Sequence, residues 1–170
     1  LCQGIESYWS AAATPESRIH AERAILGVLK NIDAYLAGDA AAADAVLDAA
    51  YESGCAIRIS RTTAPHAMSY KLTTFYGLPH GHAVALCLPR VWEYMLTCAD
   101  ASLLSVLDEI AACMGVASSQ EAVALFDAMM GEMELACPVA EGRDEEIARL
   151  VAGVNVERLG NHPVPLSAEA

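Results

Sequence analysis

The chain has 170 residues, enough for one domain with a substantial core, and carries a formal net charge of −12. That charge argues against nucleic acid and anionic membrane as partners, because both need a positive surface. Hydrophobic residues make up 55% and aromatics only 6%; much of the rest of the apolar content is alanine, the best helix former, which favours closely packed helices over a β-sandwich.

Residues 1–11 read as part of a helix, with Ile5-Glu6-Ser7-Tyr8-Trp9 already in mid-helix. Thr14-Pro15-Glu16 is a helix start, an N-cap hydroxyl followed by proline at the first helical position. The next helix carries Ile25, Leu29, Ile32 and Leu36 at helical spacing and is closed by Gly38. A second runs from about Ala40 to Ser60, with Val46, Leu47, Ala50, Tyr51, Gly54 and Ile57 as its expected apolar side. Arg58 to Pro65 is a polar interruption, followed by a helix over His66–Tyr76 and a break at Gly77-Leu78-Pro79. An apolar helix follows from His80 to about Met95, with Pro89 expected to kink or end it.

Ala101–Met114 reads as a further helix stopped by Gly115. Ser118-Ser119-Gln120-Glu121 has the form of a capping box, and leads a helix whose Val123, Leu125, Phe126, Met129, Met130 and Met133 fill core. Asp144–Val154 is a short amphipathic helix, and 155–165 reads as loop. No segment alternates apolar and polar for long, so the expected fold is all-α, one domain over 1–170.

Six cysteines (Cys2, Cys55, Cys87, Cys98, Cys113 and Cys137) include no CxxC pair and read as buried small hydrophobes of a cytoplasmic protein. No apolar run approaches the roughly 20 residues of a membrane span. Leu1 stands where a helix is already under way, and Pro165–Ala170 looks like the start of a helix that does not follow, so the chain is expected to be a piece of a longer protein.

The chemistry concentrates between His66 and His80. Imidazole is the commonest protein metal ligand and is neutral when it binds. An unbroken helix over that interval would hold the rings about 21 Å apart, whereas ligands of one ion each lie about 2.0–2.2 Å from it. Gly77 and Pro79 supply the break that lets the chain turn back.

The segment Gly77-Leu78-Pro79-His80-Gly81-His82-Ala83 with the following Leu86-Cys87-Leu88-Pro89, together with His66, resembles the signature of the iron-containing (group III) alcohol dehydrogenases. The resemblance extends through Ile5–Trp9 and Thr14–Ser17 upstream, and through Val154-Asn155 and Asn161-His162-Pro163 downstream. It implies a dehydroquinate synthase-like C-terminal helical bundle that pairs with an N-terminal dinucleotide-binding α/β domain. It also implies a metal in the cleft, Fe²⁺ or Zn²⁺, and NAD(P)H bound mainly by the other domain. No Gly-rich phosphate cradle occurs in these residues, in keeping with a cofactor held elsewhere.

The family's metal site uses an aspartate, a histidine four residues later and two further histidines. The resemblance assigns the last two to His66 and His80, and puts the aspartate before Leu1. The earlier histidine aligns with Gln3, a departure; an amide oxygen is a poorer ligand than imidazole for such metals. The metal is then weakly held, held through water, or absent. A further family histidine is replaced by Tyr70, which shares a helix face with His66 and serves either as hydrogen-bond or proton donor to substrate or as packing. His82 falls at a variable place, with a solvent or supporting role, and His20 and His162, in helix-surface and loop contexts, receive no chemistry.

Gln3, Glu6–Ser10 and Ile59–His66 most resemble the phosphonoacetaldehyde reductase subgroup. In a chain with only ten Lys and Arg, Arg61 and Lys71 flank His66. Arg61 with Thr62 can hold a phosphonate by charge-assisted bonds; equally, Arg61 caps a helix or pairs with a carboxylate, and Lys71 reads as surface. The expected partner is a small aldehyde or alcohol, and an exposed cleft face allows self-association as a homodimer. A metal-free interaction module of the same fold is the competing reading.

Overall fold

The computed structural model describes residues 1–138, 144–154 and 156–166. Among these, every regular element is an α-helix: α1 (Cys2–Trp9), α2 (Pro15–Leu36), α3 (Ala40–Ser60), α4 (Ala64–Tyr76), α5 (His80–Cys98), α6 (Ala101–Cys113), α7 (Ser119–Glu132), α8 (Asp144–Ala152) and α9 (Val156–Leu159). The short α9 stands where a loop was expected. Asn155 and residues 167–170, on which part of the expected loop and the expected terminal helix start fall, lie outside the described residues.

The helix starts follow local chemistry. Thr14 Oγ1 accepts from the Ser17 amide at 3.1 Å while the Thr14 amide donates to Ser17 Oγ at 2.9 Å, a reciprocal box on α2. Asp39 Oδ1 accepts from the Ala42 amide at 2.8 Å to start α3. At α7 the expected box is shifted: Ser118 Oγ accepts from the Glu121 amide at 3.3 Å, but the Glu121 carboxylate takes the Ala117 amide at 3.0 Å.

α1 is the short central helix, packed against α2, α3, α5 and α6. Its Ile5 and Trp9 join Ile25, Leu88, Trp92, Met95, Leu107 and Ile110 in the core. Trp9 and Trp92 meet edge to face at 5.4 Å between ring centroids. α5 runs through the buried Pro89 to Cys98, where the sequence suggested a kink or an end near Met95. Proline removes one hydrogen bond, but Leu88, Val91, Trp92 and Met95 are all buried around it, and tertiary packing holds the helix together.

α3 turns a different face inward from the one the large apolar residues marked. Leu47 and Tyr51 are 67% and 73% exposed. The buried side consists of Ala42, Ala49, Ser53, Ala56 and Ser60. The reason is the close approach of α2: a methyl built on Gly27 would lie 2.8 Å from the Ala49 Cβ. Small residues let the two helices come together, and long side chains are expelled to the rim. The cysteines are less buried than expected: Cys98 and Cys137 are exposed, the other four half-buried, and all six are free. Burial still pushes the Cys2 and Cys87 thiols up to about 11 and about 12, which keeps them protonated and unreactive. Of the methionines of α7 and the residues after it, Met130 is buried while Met129 and Met133 are half-buried. No described helix is long and apolar enough to cross a membrane.

The segment after α9 folds back on the helix bundle. Asn161 Nδ2 donates to the carbonyls of Ser60 at 2.8 Å and Thr62 at 3.0 Å. His162, expected in an open loop, is buried and stands edge-on to Trp9 at 6.5 Å. Neither of its ring nitrogens has a hydrogen-bond partner among the described residues, and burial pushes its pKa down to about 4.

Two outcomes follow from this packing. Gly27→Val should lower the unfolding free energy by about 1–3 kcal/mol in denaturant titration, with part of the loss recovered by adding Ala49→Gly; an unchanged midpoint would refute the close helix contact. His162 binds protons more weakly folded than unfolded, so its neutral burial stabilises fully above about pH 6.5 and is lost as pH falls toward 4, roughly 3 kcal/mol in all. His162→Phe should flatten the fall of unfolding free energy over that interval.

Candidate active site

α4 ends in Gly77, whose φ of 67° closes the helix in the left-handed conformation. Leu78 and Pro79 then carry the chain back, and α5 begins at His80. The break brings the two rings together: His66 and His80 lie 5.2 Å apart at 72°. Tyr70, one turn after His66, stacks on His80 at 5.6 Å and 21°. Tyr70 is 40% exposed and His66 only 6%. The pKa of His80 is lowered by partial burial and by His66 beside it, so its ring is neutral, with a lone pair, at neutral pH.

Beneath this trio lies a group that the sequence reading passed over. Glu6 of α1 is fully buried. Its Oε2 accepts from the Thr63 amide at 2.8 Å and from Thr63 Oγ1 at 3.0 Å, and its Oε1 is hydrogen-bonded to His66 Nδ1. Thr63 Oγ1 in turn accepts from Trp9 Nε1 at 2.9 Å. Thr63 is the N-cap of α4, yet its hydroxyl caps nothing in its own helix and is spent on Glu6. The signal in the sequence was a single carboxylate inside the apolar run of Ile5, Tyr8 and Trp9, where a charge survives only if paired.

Gln3 sits one helical turn before Glu6 on α1, and its side-chain amide lies 2.9 Å from Ser53 Oγ on α3. Ser53 Oγ also donates to the Ala50 carbonyl at 2.8 Å. A hydroxyl has one proton, so both contacts are hydrogen bonds only when the Gln3 amide turns its NH₂ to Ser53 and its oxygen away. Arg61 and Thr62 form the joint between α3 and α4. Arg61 is the C-cap of α3, donating its amide to the Ile57 carbonyl at 2.8 Å, and its side chain is exposed. Its φ of 62° and ψ of 177° fall in a region almost confined to glycine. Asn161 grips the carbonyls on either side of it and holds that geometry. The structure engages Arg61 and Thr62 through their backbone.

The remaining candidates have partners outside the trio. His82 Nε2 bonds the Ala136 carbonyl at 3.0 Å and ties α5 to the segment after α7. His20 pairs with Glu52 at 2.5 Å. The Lys71 ammonium lies over the Phe75 ring at 5.6 Å. Among the described residues, no group of three or more His, Cys, Asp or Glu is arranged to hold a metal ion. The spacing of the His66 and His80 rings agrees with a shared ion: a ring centroid lies about 3.2 Å from an ion bound at its nitrogen, so two rings at a tetrahedral angle would stand about 5 Å apart.

The fold is an all-helical bundle with two histidines brought together near the starts of successive helices, and residues 1–162 match the model described as the Fe-containing alcohol dehydrogenase family, C-terminal. The chain belongs to that family. It is 40% identical over 126 residues to the phosphonoacetaldehyde reductase of Streptomyces viridochromogenes, covering 68% of this chain and 32% of that protein. The structure superposes on an iron-containing alcohol dehydrogenase from Thermococcus thioreducens with a TM-score of 0.88 at 24% identity, covering 99% of this chain and 45% of that one. It superposes on a sulfoacetaldehyde reductase from Bifidobacterium kashiwanohense, solved in complex with NAD⁺, with a TM-score of 0.84 at 24% identity over 99% and 45%. At that identity the two structures establish the fold alone. The chain thus spans about a third of the length of the curated relative and under half that of the solved ones.

The strain at Arg61 is testable without any substrate. Arg61→Gly should raise stability by about 1 kcal/mol, the relief of an unfavourable backbone less the added entropy of glycine, seen as a melting point about 2–4 °C higher. A lower melting point would mean that the guanidinium makes a stabilising contact of its own.

Proposed function

We propose that this chain forms the metal- and substrate-binding half of an NAD(P)H-dependent aldehyde reductase, acting on a small anionic aldehyde of the phosphonoacetaldehyde kind to give the corresponding alcohol. The observation that carries this reading is the His66/His80 pair, 5.2 Å apart and backed by the buried Glu6 carboxylate. His66 and His80 would hold the metal, Gln3 would offer its amide oxygen near them, and the other ligands and the nucleotide would be bound by protein outside these 170 residues. Support for that division comes from the share of each relative that the chain spans.

When bound, Fe²⁺ or Zn²⁺ supplies Lewis acidity to the carbonyl oxygen and NAD(P)H supplies the hydride. The residues of this chain do the remaining work. The two imidazoles would offer ring nitrogens to the metal. Tyr70, held flat against His80, is proposed to donate its phenolic proton in a hydrogen bond to the substrate oxygen. Arg61 and Thr62, a few residues before His66, are proposed to receive the anionic end.

The test is elemental analysis of the intact protein and of its His66→Ala and His80→Ala variants, alongside NAD(P)H-dependent reduction of phosphonoacetaldehyde. Stoichiometric metal in the parent, lost with activity in both variants by at least about 100-fold, is the expected result. Full reductase activity in metal-free protein would sink the reading and leave Tyr70 as the group that polarises the carbonyl. Binding of neither metal nor aldehyde would favour a metal-free interaction module, the reading favoured by Gln3 standing where the family has a histidine.

A further inference from the structure

We infer that Glu6 is a positioning residue that decides which nitrogen of His66 carries its proton, and that Trp9 and Thr63 fix the direction of the hydrogen bonds that make this so. An indole nitrogen can only donate. Trp9 Nε1 therefore gives its proton to Thr63 Oγ1 at 2.9 Å, and Thr63, with that lone pair used, gives its own proton to Glu6 Oε2 at 3.0 Å. The Thr63 amide, which cannot reverse, donates to the same oxygen at 2.8 Å. A carboxylate so placed accepts on both oxygens. Its Oε1 then takes the proton of His66 Nδ1, and the lone pair of that ring is left on Nε2. All four side chains are buried, so no solvent rearrangement competes with the chain of donors.

The same logic makes an unusual prediction for Glu6→Gln. The Thr63 amide still requires an oxygen opposite it, so the glutamine carbonyl must stay on Thr63 and its NH₂ must face His66. Nδ1 then has to accept, and the proton moves to Nε2. A change of one atom, with no change of shape, would reverse the ring and cover its lone pair. The tautomer is independent of any metal. The effect on metal affinity rests on the proposed function, where a protonated Nε2 would bar a ligand position.

The experiment is long-range ¹H–¹⁵N correlation on the intact protein labelled at histidine, stripped of metal and held at alkaline pH so that the rings are neutral, with His66 assigned from a His66→Ala sample. The parent should show a protonated Nδ1 and a bare Nε2; Glu6→Gln should show the reverse. Thr63→Val, which removes a hydroxyl but keeps the amide and the carboxylate, should lose stability and retain the parental tautomer. Zn²⁺ titration should give about a 10–100-fold weaker affinity for Glu6→Gln than for the parent. A parent ring protonated at Nε2 overturns the inference whether or not Glu6→Gln folds, as does a folded Glu6→Gln that keeps Nδ1–H. A tautomer that switches in a protein binding no Zn²⁺ upholds the inference and removes the metal reading instead.

Discussion

A carboxylate with no access to water is unstable in a protein interior unless its oxygens are filled by donors, and the loss of one partner of such a buried pair typically costs about 3–5 kcal/mol. Glu6 is in that position, and much of the local architecture follows from it. Its donors come from residues 57 and 60 positions along the chain, so α1 is bound to the first turn of α4. Thr63 must present both its amide and its hydroxyl in one direction, which fixes the joint between α3 and α4. That joint is where the backbone is forced into the glycine-like geometry of Arg61. Ser60, next to it, reaches Ser7 on α1 at 2.7 Å, and Ser10 Oγ donates to the Ser60 carbonyl at 2.9 Å. The polar seam between α1 and the joint is therefore continuous, and it lies directly under the histidine pair.

The seam needs rigid surroundings, and these are supplied by two kinds of packing. On one side, α2 and α3 approach through alanine, serine and glycine, close enough that Gly27 has no room for a methyl. On the other, Trp9 stands between Trp92 and His162 with its single polar atom turned to Thr63. The Asn161–His162 segment closes this side from above, one residue gripping the strained joint and the other covering Trp9. Segments far apart in sequence thus converge on one short helix, α1, which carries Glu6, Trp9 and Gln3 on its eight residues.

Most helix ends were legible in the sequence because they depend on local chemistry: Thr14 before Pro15, Gly77 and Ser118 act within a turn of their own position. Which face turns inward was not, at α3. Leu47 and Tyr51 carry the larger hydrophobic gain, but the partner helix admits only small side chains, and that constraint lies in Gly27, two dozen residues away. Pro89 and His162 misled for a similar reason, since long-range packing overrode a local preference in each. At the site, the sequence offered the break at Gly77 and Pro79 that allows His66 and His80 to meet. Glu6 was not singled out, because a carboxylate in a helix reads as surface until its donors, more than fifty residues on, are known.

The electrostatics of the pair bear on what it can bind. The chain carries a net charge of −12, and a dianionic aldehyde approaching it would meet an unfavourable field within the screening distance of about 8–10 Å. The His80 imidazole does not remedy this, because burial and the neighbouring ring lower its pKa. On the proposed reading, a bound cation would add positive charge to that of Arg61, and the fold's contribution would be to hold the two imidazoles beside it. Glu6 serves that end twice: it orients His66, and it adds a negative charge behind the ring that favours a cation in front of it.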